Sequence, residues 1–177
     1  MFEKGWYKKA IHIKSPNFNK RPKNDDITLV VIHCISLPEG QYNNDNVEKF
    51  FTNCLDYEQH ESFKSLYDVK VSAHFYIKRD GTIIQFVSVN DRAWHAGESQ
   101  FNGRQGCNNF SVGIELQGTD NSKYSEYQYS SLNVLLNDLQ HNYPKLRNIV
   151  GHSDIAPNRK KDPGKYFDWE KVNFIKI

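Results

Sequence analysis

The sequence predicts an α/β (α+β) fold, with a mixed central sheet flanked by helices. Three observations carry that reading. Residues 27–35 (ITLVVIHCI) form an apolar, β-branched run too continuous for a one-sided strand, the pattern of a central strand buried on both faces. Residues 74–78 and 82–89 are strand-like segments around a turn containing Asp80-Gly81, a hairpin signal. Leu132, Leu135, Leu136, Leu139 and Tyr143 recur on one helical face, which starts at a Ser125/Gln128 capping-box pattern and stops at Pro144. Strands alternating with helices and one hairpin give a mixed sheet, with active groups expected where strand ends meet loops.

The remaining elements follow in order. Residues 1–26, ending in a Pro- and Asn-rich stretch, are expected to wrap the surface. After the 27–35 strand the loop LPEGQYNND offers acidic and Asn residues that can start a helix through Val47–Phe51. Residues 54–69 are polar with scattered apolar positions and are expected to be irregular around a short helix. Residues 110–116 (FSVGIEL) and 148–151 (NIVG) read as two further buried strands.

Chain-wide properties narrow the class. At 177 residues the chain can bury a core as one domain, 1–177, and no repeat or linker-like shift divides it. Its 23 basic against 21 acidic residues create no field that points to nucleic acid or an anionic membrane. The short basic runs 20–23 and 159–161 read as solvated surface. No apolar stretch has the length of a signal-peptide core or a membrane span, so a cytoplasmic protein is expected. Cys34, Cys54 and Cys107, odd in number and widely spaced, fit free thiols.

Of the seven histidines, His33 stands out because an imidazole in an apolar strand needs a partner or a metal to offset its desolvation. A satisfied core histidine is the plainer alternative. Cys34 should point to the opposite sheet face and not share a metal with it. His152 opens HSDIAPNRKKDPG, where a carboxylate from Asp154 or Asp162 could join it. A polar surface loop capped by Asp154 would look similar. Glu115, inside the apolar GIEL, is a general-base candidate unless its carboxylate reaches solvent. Two imidazoles, one carboxylate and a free Glu are the parts of a hydrolytic zinc site with one position open for water. The helical HExxH motif is absent, so such ligands would come from separate strands.

Six ordered blocks then carry a resemblance: SPNFNKRP at 15–22, VIHCISLPEGQY at 31–42, VSAHFYIKRDG at 71–81, RAWHAG at 92–97, FSVGIELQGTD at 110–120 and GHSDIAPNRKKDPGKYFDW at 151–169. Together they resemble the type 2 N-acetylmuramoyl-L-alanine amidases, the superfamily that includes the peptidoglycan recognition proteins, and within it the cytoplasmic branch. The resemblance implies one zinc per chain, held by His33, His152 and Asp162, with Glu115 as base and Lys160 at the oxyanion. It implies hydrolysis of the amide between 1,6-anhydro-N-acetylmuramic acid and L-alanine in peptidoglycan recycling, with an anhydro-muropeptide as substrate; a monomer is expected, although the sequence does not fix the oligomeric state. It also places Trp94 and His95 near the substrate, and Lys70 and Arg104 are the candidates for pairing with peptide carboxylates.

The chain departs from the family pattern at Cys34, where Asn is common, and at Lys70 and Gly106, where Arg is common. Peptide contacts are therefore expected to differ more than the chemistry. Two rival functions remain open on sequence: a peptidoglycan-binding module that has lost its metal, and a zinc hydrolase of another amide.

Overall fold

The structure, a computed structural model, describes residues 1–23 and 25–175. In chain order its elements are β1 (Phe2–Glu3), β2 (Trp6–Tyr7), β3 (Ile11–His12), β4 (Phe18–Lys20), β5 (Leu29–Ile35), α1 (Asn46–Phe51), β6 (Phe75–Ile77), β7 (Ile83–Gln85), β8 (Asp91–Ala93), β9 (Gln100–Phe101), β10 (Arg104–Gln105), β11 (Ser111–Gln117), α2 (Glu126–Asn142), β12 (Asn148–Gly151) and α3 (His152–Ile155). The main sheet runs β12-β5-β11-β6-β7-β3. Its first four strands are parallel, β6 and β7 form the antiparallel hairpin, and β3 lies parallel to β7 at the edge. This is the mixed sheet flanked by helices that the sequence predicts.

Alternation along the central strands divides the molecule into two layers. Val30 and Ile32 of β5, Val112, Ile114 and Leu116 of β11, and Phe75 and Ile77 of β6 pack on one face against Leu132, Leu135, Leu136 and Leu139 of α2. Each such side chain, fully withdrawn from water, contributes about 1.5–3 kcal/mol. The start of α2 is fixed as its sequence requires. Ser125 Oγ accepts from the Gln128 amide at 3.1 Å, and Gln128 Oε1 accepts from the Ser125 amide at 3.0 Å. Gln128 Nε2 also donates to the carbonyls of Ile77 and Gln117, tying the helix to two strands.

On the opposite face, Val47, Phe50 and Phe51 of the α1 segment and Phe63 of a 3₁₀ turn (Glu61–Leu66) pack with Tyr76, Ile84 and Phe86. The expected short helix within 54–69 is this 3₁₀ turn. Among the described residues no helix is long and apolar enough to cross a membrane.

The N-terminal segment corrects its expectation. It does not merely wrap the surface: β3 extends the main sheet and β4 pairs with β8. Tyr7 is fully buried and donates to Asp138 at 2.6 Å. Arg21 is threaded inward, donating to the carbonyls of Val89, Asn108, Asn109 and Ser111. Polar composition concealed this, because the buried groups are held by hydrogen bonds rather than by an apolar stripe.

Candidate metal centre

Parallel register brings the reactive groups together. Glu115 of β11 pairs with His33 of β5, and Gly151 of β12 pairs with Ile32, so His152, opening α3, emerges beside His33. Because side chains alternate, His33 and Glu115 share the sheet face away from α2. Cys34 packs toward the α2 core, as its neighbouring position requires.

Asp162 arrives from the loop after α3. That loop is pinned by the Ser153 amide donating to the Asp162 carbonyl at 3.0 Å, and by Arg159 Nη2 donating to the carbonyls of Ala96 and Glu98 at 2.7 Å each. Gly164, at φ +86°, passes so close to Asp120 that a Cβ would lie 1.9 Å from its carbonyl oxygen, an approach only glycine permits. Asp154, the other carboxylate of the loop, instead caps α3 by accepting from the Gly151 amide at 2.7 Å.

One ligand atom each from His33, His152 and Asp162 lie within 4.8 Å of one another. His33 Nδ1 stands 2.9 Å from His152 Nδ1 and 3.1 Å from Asp162 Oδ2, and His152 Nδ1 stands 3.0 Å from the same oxygen. His152 Nε2 faces the Ala96 carbonyl at 3.1 Å, which can only accept, so that nitrogen carries a proton and a neutral His152 presents its Nδ1 lone pair to the cluster. Burial holds His33 in its neutral form, lowering it from 6.5 to about 4. Lone pairs and a carboxylate oxygen converging this closely repel one another unless a shared proton or a metal cation lies among them. Two imidazole nitrogens and one carboxylate oxygen are a fitting set for zinc with an open coordination position.

Around the trio is a cavity of about 330 Å³, walled by Phe50, Leu66, Val69 and Val71 and carrying Glu115, Lys160, Trp94 and His95. Glu115 is only 9 % exposed, and its Oε2 has no hydrogen-bond partner among the described residues. Burial, and then the Asp162 carboxylate, push its carboxyl well above the usual range, while Lys160 pulls it back. Lys160 and Asp162 also line a groove of about 460 Å³ that continues past Lys161 and Asp120. A cleft of about 620 Å³ around Gln100, Gln105 and Pro157 holds none of these groups.

Trp94 reaches the cavity with its indole nitrogen donating to Asn19 Oδ1 at 3.0 Å. His95 lies against His33, Nδ1 to Nε2 at 2.9 Å, so its nearest polar neighbour is the His33 ring. Lys70 is exposed beside two wall residues but does not itself line the cavity. Arg104 departs from its expected place. It donates to Asp25 at 2.5 Å and lies 4.0 Å from the Phe110 ring centroid, away from the cavity, with its charge already paired. Sequence reading passed over Ser111 and Asn108. Asn108 Oδ1 accepts from the amides of His95 and Ala96, and a polar residue starting an apolar strand was the available signal for Ser111.

Residues 23–165 match the N-acetylmuramoyl-L-alanine amidase family. The 1,6-anhydro-N-acetylmuramyl-L-alanine amidase AmpD of Haemophilus influenzae is 50% identical over 171 residues, spanning 96% of this chain and 93% of that protein. The crystal structure of a Se-Met AmpD derivative superposes with a TM-score of 0.94 at 42% identity, covering 97% of this chain and 96% of that one. Escherichia coli AmiD, solved with anhydro-N-acetylmuramic acid-L-Ala-D-gamma-Glu-L-Lys, superposes with a TM-score of 0.60 at 28% identity, covering 86% of this chain and 59% of that one. With most of its length matched to the family and half its residues identical to a full-length relative, the chain belongs to the N-acetylmuramoyl-L-alanine amidases.

Proposed function

We propose that the protein is a zinc-dependent hydrolase of the amide joining 1,6-anhydro-N-acetylmuramic acid to L-alanine, working as a monomer on muropeptides recycled in the cytoplasm. The observation that carries this reading is the His33, His152 and Asp162 trio beside an unpartnered, buried Glu115 oxygen in one cavity. The activity named for the Haemophilus relative and the ligand in the AmiD complex support the substrate.

His33, His152 and Asp162 would hold the ion, which when bound supplies a Lewis acid that acidifies water and polarises a carbonyl. Glu115, outside the ligand set, takes the proton of the attacking water. From the same position it can return that proton to the departing amine. Lys160 sets a fixed positive charge at the cavity wall, where the carbonyl oxygen becomes negative. Trp94 offers an indole face to the anhydro-sugar, and exposed Lys70 a cation to the peptide carboxylates.

A metal-free binding module would have no use for a trio and an orphaned carboxyl assembled from separate elements. The test is direct: the zinc-loaded protein with 1,6-anhydro-N-acetylmuramoyl tripeptide should release free tripeptide, read by mass spectrometry. Intact substrate after prolonged incubation with zinc-loaded protein would overturn the reading.

A further inference from the structure

On the far side of the His33 ring, a chain of hydrogen bonds runs inward and ends on a group that can only accept. Ser111 Oγ lies 2.6 Å from the Cys107 carbonyl oxygen, so its single proton is donated there. The opposite arrangement would set two oxygen lone pairs against each other at that distance. The hydroxyl is left to accept from His95 Nε2, 3.1 Å away. His95 therefore carries its proton on Nε2, and its bare Nδ1 accepts from His33 Nε2 at 2.9 Å. His33 in turn keeps its proton on Nε2 and its lone pair on Nδ1, the atom that faces His152 and Asp162.

The chain is also held in place. Asn108 Oδ1 accepts from the backbone amides of His95 and Ala96 at 3.1 and 2.8 Å. The His95 ring lies over Gly113, where a Cβ would come within 2.4 Å of its Cγ. Ser111 is fully buried, so water does not compete for its hydroxyl.

We propose that Ser111 and His95 are a positioning pair that fixes the His33 tautomer and thereby sets the affinity of the site for its metal. His95, expected from sequence to touch substrate, acts through His33 instead. The inference rests on the zinc reading above. Without the Ser111 hydroxyl, His95 can place its proton on Nδ1 and donate to His33. The His33 proton then moves to Nδ1, the ligand atom.

The test titrates the metal-free, full-length chain with zinc against a competing fluorescent chelator, after nitrogen NMR of the His33 ring. Ser111→Ala is expected to raise the zinc Kd roughly 10- to 100-fold, the usual cost of losing such a partner, and to shift His33 toward the Nδ1-protonated form. His95→Asn, which keeps an acceptor near the Nδ1 position, should bind zinc more tightly than His95→Ala. A Ser111→Ala protein within about threefold of the parent, with the His33 proton unmoved, overturns the pair and leaves the metal reading intact. So does a change in melting temperature alone. A parent that binds no zinc in the same titration removes the metal reading and the pair with it.

Discussion

Glu115 and His33 are register partners on adjacent parallel strands, β11 and β5, with their side chains on the same sheet face. A carboxyl whose Oε2 has no partner among the described residues and an imidazole that faces Asp162 are thus held side by side by backbone pairing rather than by a loop. Rigid strands fix such groups more tightly than loops do. The exception is Asp162, whose loop depends on the Arg159 strap to Ala96 and Glu98.

Replacing His33, His152 or Asp162 singly with Ala should abolish turnover and weaken zinc retention by more than about 100-fold, since each would supply one of three protein ligands. Atomic absorption after dialysis checks it. Full zinc in all three variants would contradict the ligand assignment.

Acid should destabilise the metal-free protein. Below 6.5 the unfolded chain takes up protons that buried His33 and His74 refuse until about pH 4 and about pH 3, burial being the main cause in both. Between about pH 7 and about pH 5 the unfolded state therefore binds more protons, and stability falls as pH falls. Glu115 works in the opposite sense, because its raised pKa makes the folded state bind a proton that unfolded Glu releases. Urea midpoints across this range should decline for the parent and decline more steeply for Glu115→Gln. An equal or shallower decline in the variant would mean that Glu115 is not held protonated.

Lys70 and Arg104 should part company. Lys70→Glu is expected to raise KM by roughly fivefold with little change in kcat, the size of an exposed ion pair worth about 1 kcal/mol. Arg104→Glu should leave KM alone and lower the melting temperature, because Arg104 is bonded to Asp25. Equal KM effects at both positions would put Arg104 back among the substrate contacts.

Tyr7→Phe removes the hydroxyl that donates to buried Asp138 at 2.6 Å and should cost about 1–3 kcal/mol in urea unfolding. A neutral result would show that Lys9, 3.3 Å from the same carboxylate, is partner enough.

Much of this was legible in the sequence because its signals are local. The apolar run ending in β5, the capping box of α2 and the Asp80-Gly81 turn each state their own structure. His33 was legible for the same reason, as a polar residue in an apolar strand. What stayed hidden depends on contacts distant in sequence. Nothing near Asp154 or Asp162 says which one caps α3 and which one faces the histidines; the resemblance supplied that choice, and the Gly151 amide explains it. Arg104 is paired with Asp25, 79 positions away, and the N-terminal strands pair with residues some seventy positions away.

Glu115→Gln tests the account most directly. The amide keeps the size of the side chain while removing its capacity to carry a proton, so fold and zinc should survive. Turnover of 1,6-anhydro-N-acetylmuramoyl tripeptide should fall by about 10²- to 10⁴-fold, toward the upper end because one group serves both proton transfers. The deciding measurement is kcat on a preparation whose zinc content and melting temperature are determined alongside. A folded, zinc-loaded variant with kcat within about threefold of the parent would remove Glu115 from the chemistry, and with it the mechanism.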